Sequence, residues 1–180
     1  MGSLVTWAGA GVGAVATQSM VEPAYGPRAL ELMGRGMSAP QALTELLSAD
    51  AQEEARQVAV IDRAGRVAMH TGPGCIPHAG HAVGDQVSAQ ANIMARDTVP
   101  EAMLAAYAAA GGGLPTRLMA ALDAAEAEGG DLRGRQSAAL MVAPGTATGR
   151  PGSKPSPSST AGLGSKSASE TCSLIPSYGR

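Results

Sequence analysis

The chain has 180 residues, a net charge of −2 and a hydrophobic fraction of 44%, enough for one domain with its own core. A sequence pI of about 5.9 argues against a nucleic-acid partner, because phosphate neutralisation needs a clustered basic face. No apolar run reaches the roughly eighteen residues a bilayer span requires, so no membrane partner is expected.

One Trp, three Tyr and no Phe leave Ala, Val, Leu and Met to fill the interior, which favours close packing of helices on sheets. The stretch Leu4 to Met20 is apolar but has no Lys or Arg ahead of it, and Thr6, Gln18 and its glycines argue against a signal peptide. Cys75 and Cys172 lie in segments of different character and predict no disulfide framework. A cytoplasmic setting follows as the expectation.

In chain order, Val12 to Met20 alternates apolar and polar residues and predicts a strand. Tyr25-Gly26-Pro27 is a turn, with Pro27 placed to open a short helix that ends near Gly34-Arg35-Gly36. Ser38 and Gln41 have capping-box spacing, and Ala42, Leu43, Leu46 and Leu47 form the apolar face of the helix they open. Gln57 to Asp62 and Arg66 to His70 read as a hairpin joined through Gly65. A Gly/Pro-rich loop from Thr71 to His81 precedes a single strand from Val83 to Gln90, ending at Asn92. Thr98 and Glu101 give a second capping-box signal for a helix through Ala110; Pro115 opens another, which Gly129 ends.

The segment Gly129-Gly130-Asp131-Leu132-Arg133-Gly134-Arg135-Gln136-Ser137 then leads into a final strand, Gln136 to Val142. So many polar groups at a strand entrance mark either a site or a demanding hydrogen-bonded corner. From Gly145 the composition turns to Gly, Ser, Pro, Thr and Ala, and the only lysines, Lys154 and Lys166, fall there. The division is therefore a folded domain over 1–144 and a disordered tail over 145–180. Helices arriving in pairs and strands in hairpins predict a layered α+β fold, not alternating βαβ units.

Three chemistries can be weighed on these elements. Gly9-Ala10-Gly11-Val12-Gly13-Ala14 has the spacing of a dinucleotide fingerprint, but a strand rather than a helix follows it, so no nucleotide cofactor is expected. His70, Cys75, His78 and His81 are good zinc-ligand types, yet their loop lacks the paired knuckles of structural sites, and no metal is expected either. The third, amide hydrolysis, rests on a resemblance given below; for contacts to a small-molecule substrate the candidates are polar groups at strand ends: Thr17, Gln18, His70, Asn92, Asp131, Arg133, Gln136 and Ser137. In that site Arg133, oriented by Asp131, would clamp a carboxylate, while Asn92 or Gln18 would donate to an oxyanion.

The runs Ala10 to Gln18, Tyr25-Gly26-Pro27-Arg28, Val67 to Gly72, Cys75-Ile76, Ala79-Gly80-His81, Gln90 to Met94 and Gly130 to Leu140 occur in the order of one family's signatures. Over residues 3–143 the chain resembles the domain-of-unknown-function 1028 family, placed in the N-terminal-nucleophile (Ntn) hydrolase superfamily. The resemblance implies a four-layer αββα sandwich and hydrolysis of small amides, with the first residue's side chain as nucleophile and its α-amine as base.

The chain departs from that pattern at His78, at Ala91 and after Val142. It also lacks the strand pair that precedes Gly2-Ser3-Leu4-Val5 in the family. Gly2 has no attacking group, and Ser3 sits one residue too deep. The resemblance thus implies an incomplete sandwich and an inactive fragment, with unpaired strand edges that promote self-association into homo-oligomers. A non-catalytic ligand-binding or assembly domain on the same fold is the competing expectation.

Overall fold

The computed structural model describes residues 5–76, 78–135, 137–146, 172–174 and 176–177. Within them the fold is mixed α+β, with four helices, two small sheets and one two-stranded pair. β1 (Thr6–Gly9) and β2 (Gly13–Ser19) form a hairpin, followed by α1 (Tyr25–Gly34) and α2 (Ala39–Ser48). A 3-10 turn, Glu53–Ala55, leads into β3 (Arg56–Asp62) and β4 (Val67–Thr71). These strands make an antiparallel sheet in the order β1-β2-β3-β4.

β5 (Gly80–Gly84) and β6 (Val87–Ala91) pair antiparallel, and then come α3 (Val99–Ala109), α4 (Leu114–Ala127) and the short β7 (Ser137–Ala138). β8 (Cys172–Leu174) joins β6 in parallel, giving the order β5-β6-β8, and β9 (Pro176–Ser177) pairs with β7. These two short pieces belong to the stretch expected as a tail; the remainder of 147–180 lies outside the described residues.

Helical spacing explains how each helix docks. α1 buries Tyr25, Ala29 and Met33, and α2 buries Ala39, Ala42, Leu43 and Leu46, so both present one stripe to the first sheet. Val15, Val58 and Val60 meet that stripe. α3 buries Val99, Met103 and Tyr107, and α4 buries Leu114, Leu118, Ala121 and Ala125. Val87, Ala89 and Ala91 of β6 complete this second core. Because strand side chains alternate, the residues between these positions point the other way, and the two sheets meet through them.

The close approach of β1 to α1 depends on Gly26. A Cβ there would overlap the indole of Trp7, which lies across the helix start. Ser38 caps α2 as the spacing predicts: its hydroxyl accepts from the Gln41 N–H, and the Gln41 side chain accepts from the Ser38 N–H at 2.9 Å.

Four expectations need correction. Thr98 does not cap α3, because it sits in helical backbone geometry and its hydroxyl donates instead to Glu128 Oε1 at 2.6 Å. The strand expected over 83–90 is a hairpin of two strands, turning at Asp85 and Gln86, the latter at φ 56°. The strand expected over 136–142 shrinks to Ser137–Ala138, and Leu140, Met141 and Val142 stay exposed. β1 is an additional strand, and the Gly9-to-Ala14 motif is the turn that joins it to β2.

Candidate functional site

The site is built on the inner faces of the two sheets. On β2 and β3, Gln18 pairs in register with Gln57, and Ala16 with Ala59. The small alanines let the second sheet approach, and the two glutamines project toward it. On β6 the inward residues are Ser88 and Gln90, with Asn92 just beyond the strand end. All five residues of β6 and all seven of β3 are buried. Polar side chains therefore occupy the space between the sheets.

Gln57, which has no exposed surface, is the hub. Its Nε2 lies 2.9 Å from the Gly80 carbonyl, 3.0 Å from the Ala91 carbonyl and 3.0 Å from Thr71 Oγ1. Carbonyl oxygens only accept, so they fix which end of the Gln57 amide points toward β5 and β6. Its Oε1 must then accept from Gln18 Nε2 at 2.8 Å and from Asn92 Nδ2 at 3.2 Å. The same logic orients Gln90, whose Nε2 donates to the Ala16 carbonyl at 3.3 Å.

This orientation leaves acceptors over. Gln18 Oε1, Gln90 Oε1 and Ser88 Oγ are buried with no hydrogen-bond partner among the described residues. Each unmade bond costs about 1–3 kcal/mol, so such atoms in a folded protein call for a reason. The backbone next to the cluster is strained as well. Ser19, directly after Gln18, has φ 65°, and Ile93, directly after Asn92, has φ 60°. A β-branched residue pays for left-handed geometry, and such strain gathers where side chains must be aimed.

At the open side of the layer, Thr71 Oγ1 lies 2.8 Å from Nδ1 of His81 on β5. His81 is exposed and Thr71 half-buried. Partial burial, with a contribution from nearby His70, holds the His81 imidazole below its usual pKa, and Glu101 opposes this. His81 is thus neutral at pH 7.

Of the residues singled out in the sequence, the structure brings Gln18 and Asn92 together on Gln57. Thr17 pairs with Val58 on the helix-facing side of the sheet, and its buried hydroxyl finds no partner among the described residues. His70 pairs with Val58 on that side too, and its Nε2 lies 2.8 Å from the Glu53 carbonyl. Asp131 and Arg133 form a local bidentate pair at 3.0 and 2.8 Å. Asp131 also bridges Met94, which places the pair just past the end of β6. The glycines that precede it, Gly129 at φ 121° and Gly130 at φ 61°, close α4 and return the chain to this strand end. Gln136 lies outside the described residues, and Ser137 is described only in its backbone pairing with Ser177.

Gln57, Ser88 and Gln90 escaped the sequence reading. For Ser88 and Gln90 the signal was the alternation Val87-Ser88-Ala89-Gln90-Ala91-Asn92, which normally marks a polar face turned to water. A second cluster, also unforeseen, holds the first sheet to α1: Arg56 Nε donates to Asp50 Oδ2 at 2.8 Å, and the Tyr25 hydroxyl donates to the same oxygen at 2.8 Å. The Arg56 guanidinium, the Gln52 N–H and the Tyr25 hydroxyl pull the Asp50 carboxyl down to about 2.

Among the described residues no three His, Cys, Asp or Glu side chains are grouped to hold a metal ion, and no helix is long and apolar enough to cross a membrane. The model of the family of unknown function DUF1028 matches residues 1–156, running past Val142, where the resemblance read from the motifs stops. A crystal structure of a protein of that family from Silicibacter pomeroyi is similar, with 27% identity and a TM-score of 0.66. The likeness covers 71% of this chain and 59% of that protein, so this chain spans well under two thirds of its relative's length. No curated protein matches the sequence.

Proposed function

The chain belongs to the DUF1028 family, and from that premise we propose that its fold is an αββα sandwich of the Ntn-hydrolase type which acts on small amides. The folded unit in this reading is residues 1–144. The helix pairs supply the outer layers and the two sheets the inner ones. One observation carries the proposal: the sheets meet through carboxamides where hydrocarbon would pack better.

A substrate amide offers one donor and one acceptor, the same groups that Gln18, Gln57, Gln90 and Asn92 present. Gln18 Nε2 and Asn92 Nδ2 each spend one of two amide hydrogens on Gln57. The second hydrogen of Asn92 is then the donor for an oxyanion, and the oxygens of Gln18 and Gln90, which have no partner among the described residues, receive substrate N–H groups. Asp131 and Arg133, beside the end of β6, hold a substrate carboxylate.

The test is a panel of amino-acid amides and N-acyl amines incubated with the purified protein, with the released amine followed by mass spectrometry. Turnover that drops about 100-fold in Asn92→Ala, the cost of one oxyanion donor, supports the reading. A raised melting temperature with an amide ligand but no turnover assigns the layer to binding alone.

A further inference from the structure

We propose that Thr71 and His81 form a nucleophile–base pair at the open edge of the inter-sheet layer and perform acyl transfer within this chain. The substrate class rests on the amide reading above; the pair itself rests on geometry.

Thr71 Oγ1 and His81 Nδ1 are 2.8 Å apart, within reach for proton transfer. They come from different sheets, Thr71 from β4 and His81 from β5. Each also stands in register with the polar layer, Thr71 opposite Gln57 and His81 opposite Gln90.

The pair works in the tautomer with the imidazole proton on Nε2, in which the Thr71 hydroxyl donates to His81 Nδ1 and that nitrogen is a free base. The charged groups around the ring are consistent with a neutral imidazole, since His70 disfavours its protonation and Glu101, the opposing influence, does not outweigh burial. A hydroxyl is a weak nucleophile until an adjacent base accepts its proton, and this pair meets that need without the chain's amino end.

In the reaction, Thr71 Oγ1 bonds to the substrate carbonyl carbon and its proton moves to His81 Nδ1. The carbon–nitrogen bond then breaks, and the leaving amine takes that proton. Water attacks the resulting Thr71 ester, giving up a proton through His81, and releases the acid with the Thr71 hydroxyl restored. Neither side chain is fully buried, so substitutions here leave the cores intact.

A fluorophosphonate, and separately p-nitrophenyl acetate with acid quenching, can trap the nucleophile; tryptic peptides are then mapped. The expected adduct lies on Thr71, persists on the serine in Thr71→Ser, is absent in Thr71→Ala, and forms at least about 100-fold more slowly in His81→Ala. Its rate is flat above pH 7 and falls as His81 protonates at lower pH.

An adduct on another residue, an unchanged rate in His81→Ala, or no adduct with either reagent on protein of native near-UV circular dichroism would overturn the pair. The two proposals fail separately. Thr71 acylated by the ester, with no amide cleaved, keeps the pair and removes the amide reading. Amides cleaved at full rate by Thr71→Ala keep that reading and remove the pair.

Discussion

The outer interfaces and the central layer of this protein are packed from opposite chemistries. Where α1 and α2 meet β2 and β3, and where α3 and α4 meet β6, the buried side chains are almost all hydrocarbon. Where the sheets face each other, among the described residues Val5, Ala16 and Ala59, with Met69 packed against them, form a small apolar group beside buried carboxamides. Hydrocarbon tolerates small shifts, whereas a hydrogen-bonded amide holds its partner to a few tenths of an ångström. Stability is thus concentrated outside and orientation inside, as expected of a scaffold that must aim a few groups.

The sharpest way to break this comparison is Gln57→Glu. It keeps the shape but turns acceptor oxygens toward the Gly80 and Ala91 carbonyls. The expected loss is on the order of 4 kcal/mol from donors removed and carbonyls stranded, read from urea unfolding. A loss below 1 kcal/mol, which is about one ordinary hydrogen bond, would mean that the central layer is only wet filler.

Leu118→Ala is the outer-layer counterpart. Leu118 is fully buried on α4, and the cavity should cost about 3 kcal/mol, with the Thr71–His81 chemistry unaffected. Reduced labelling of Thr71 in a folded Leu118→Ala protein would show that the two regions are coupled.

Acid separates the regions next. The Asp50 carboxyl sits at about 2 in the folded chain against an ordinary 3.8. Its folded value is depressed, so its contribution is complete above the unfolded value and is lost as pH falls toward 2. The expected loss is about 2 kcal/mol, seen in unfolding midpoints between pH 5 and pH 2 and absent in Asp50→Asn. The inter-sheet amides do not titrate, and their part in stability should not change over that window.

The smallest effect concerns two caps that look alike in sequence. Ser38→Ala should cost about 1 kcal/mol, because its capping box is formed. Thr98→Ala should cost roughly half as much, because it loses only an exposed bond to Glu128. Equal values for the two variants would contradict the geometry around Thr98.

These contrasts also mark what could be read from the sequence. Helical periodicity at Ala42, Leu43 and Leu46, the Ser38 cap and the β3–β4 hairpin were legible because each signal is local and each residue meets water or core in the usual way. The second sheet was less so: the turn signal Gly84-Asp85 inside Val83 to Gln90 was passed over because apolar residues flank it, and the residue that turns left-handed is Gln86 rather than a glycine. Gln18 and Asn92 stood out as polar groups at strand ends. Gln57 did not, because a glutamine at the start of an apolar strand reads as a solvent-facing end until a second sheet is placed over it. Thr71 and His81 are ten residues apart across a Gly/Pro-rich loop, and nothing local says that this loop brings a hydroxyl onto an imidazole.

The contact of Trp7 with Gly26 has a practical consequence. Trp7 is the sole tryptophan, so indole emission reports on a single place, the seat of the first hairpin on α1. Fluorescence and far-ultraviolet melting curves therefore watch different parts of this molecule. Their superposition would establish that the hairpin and the rest of the domain come apart as one cooperative unit.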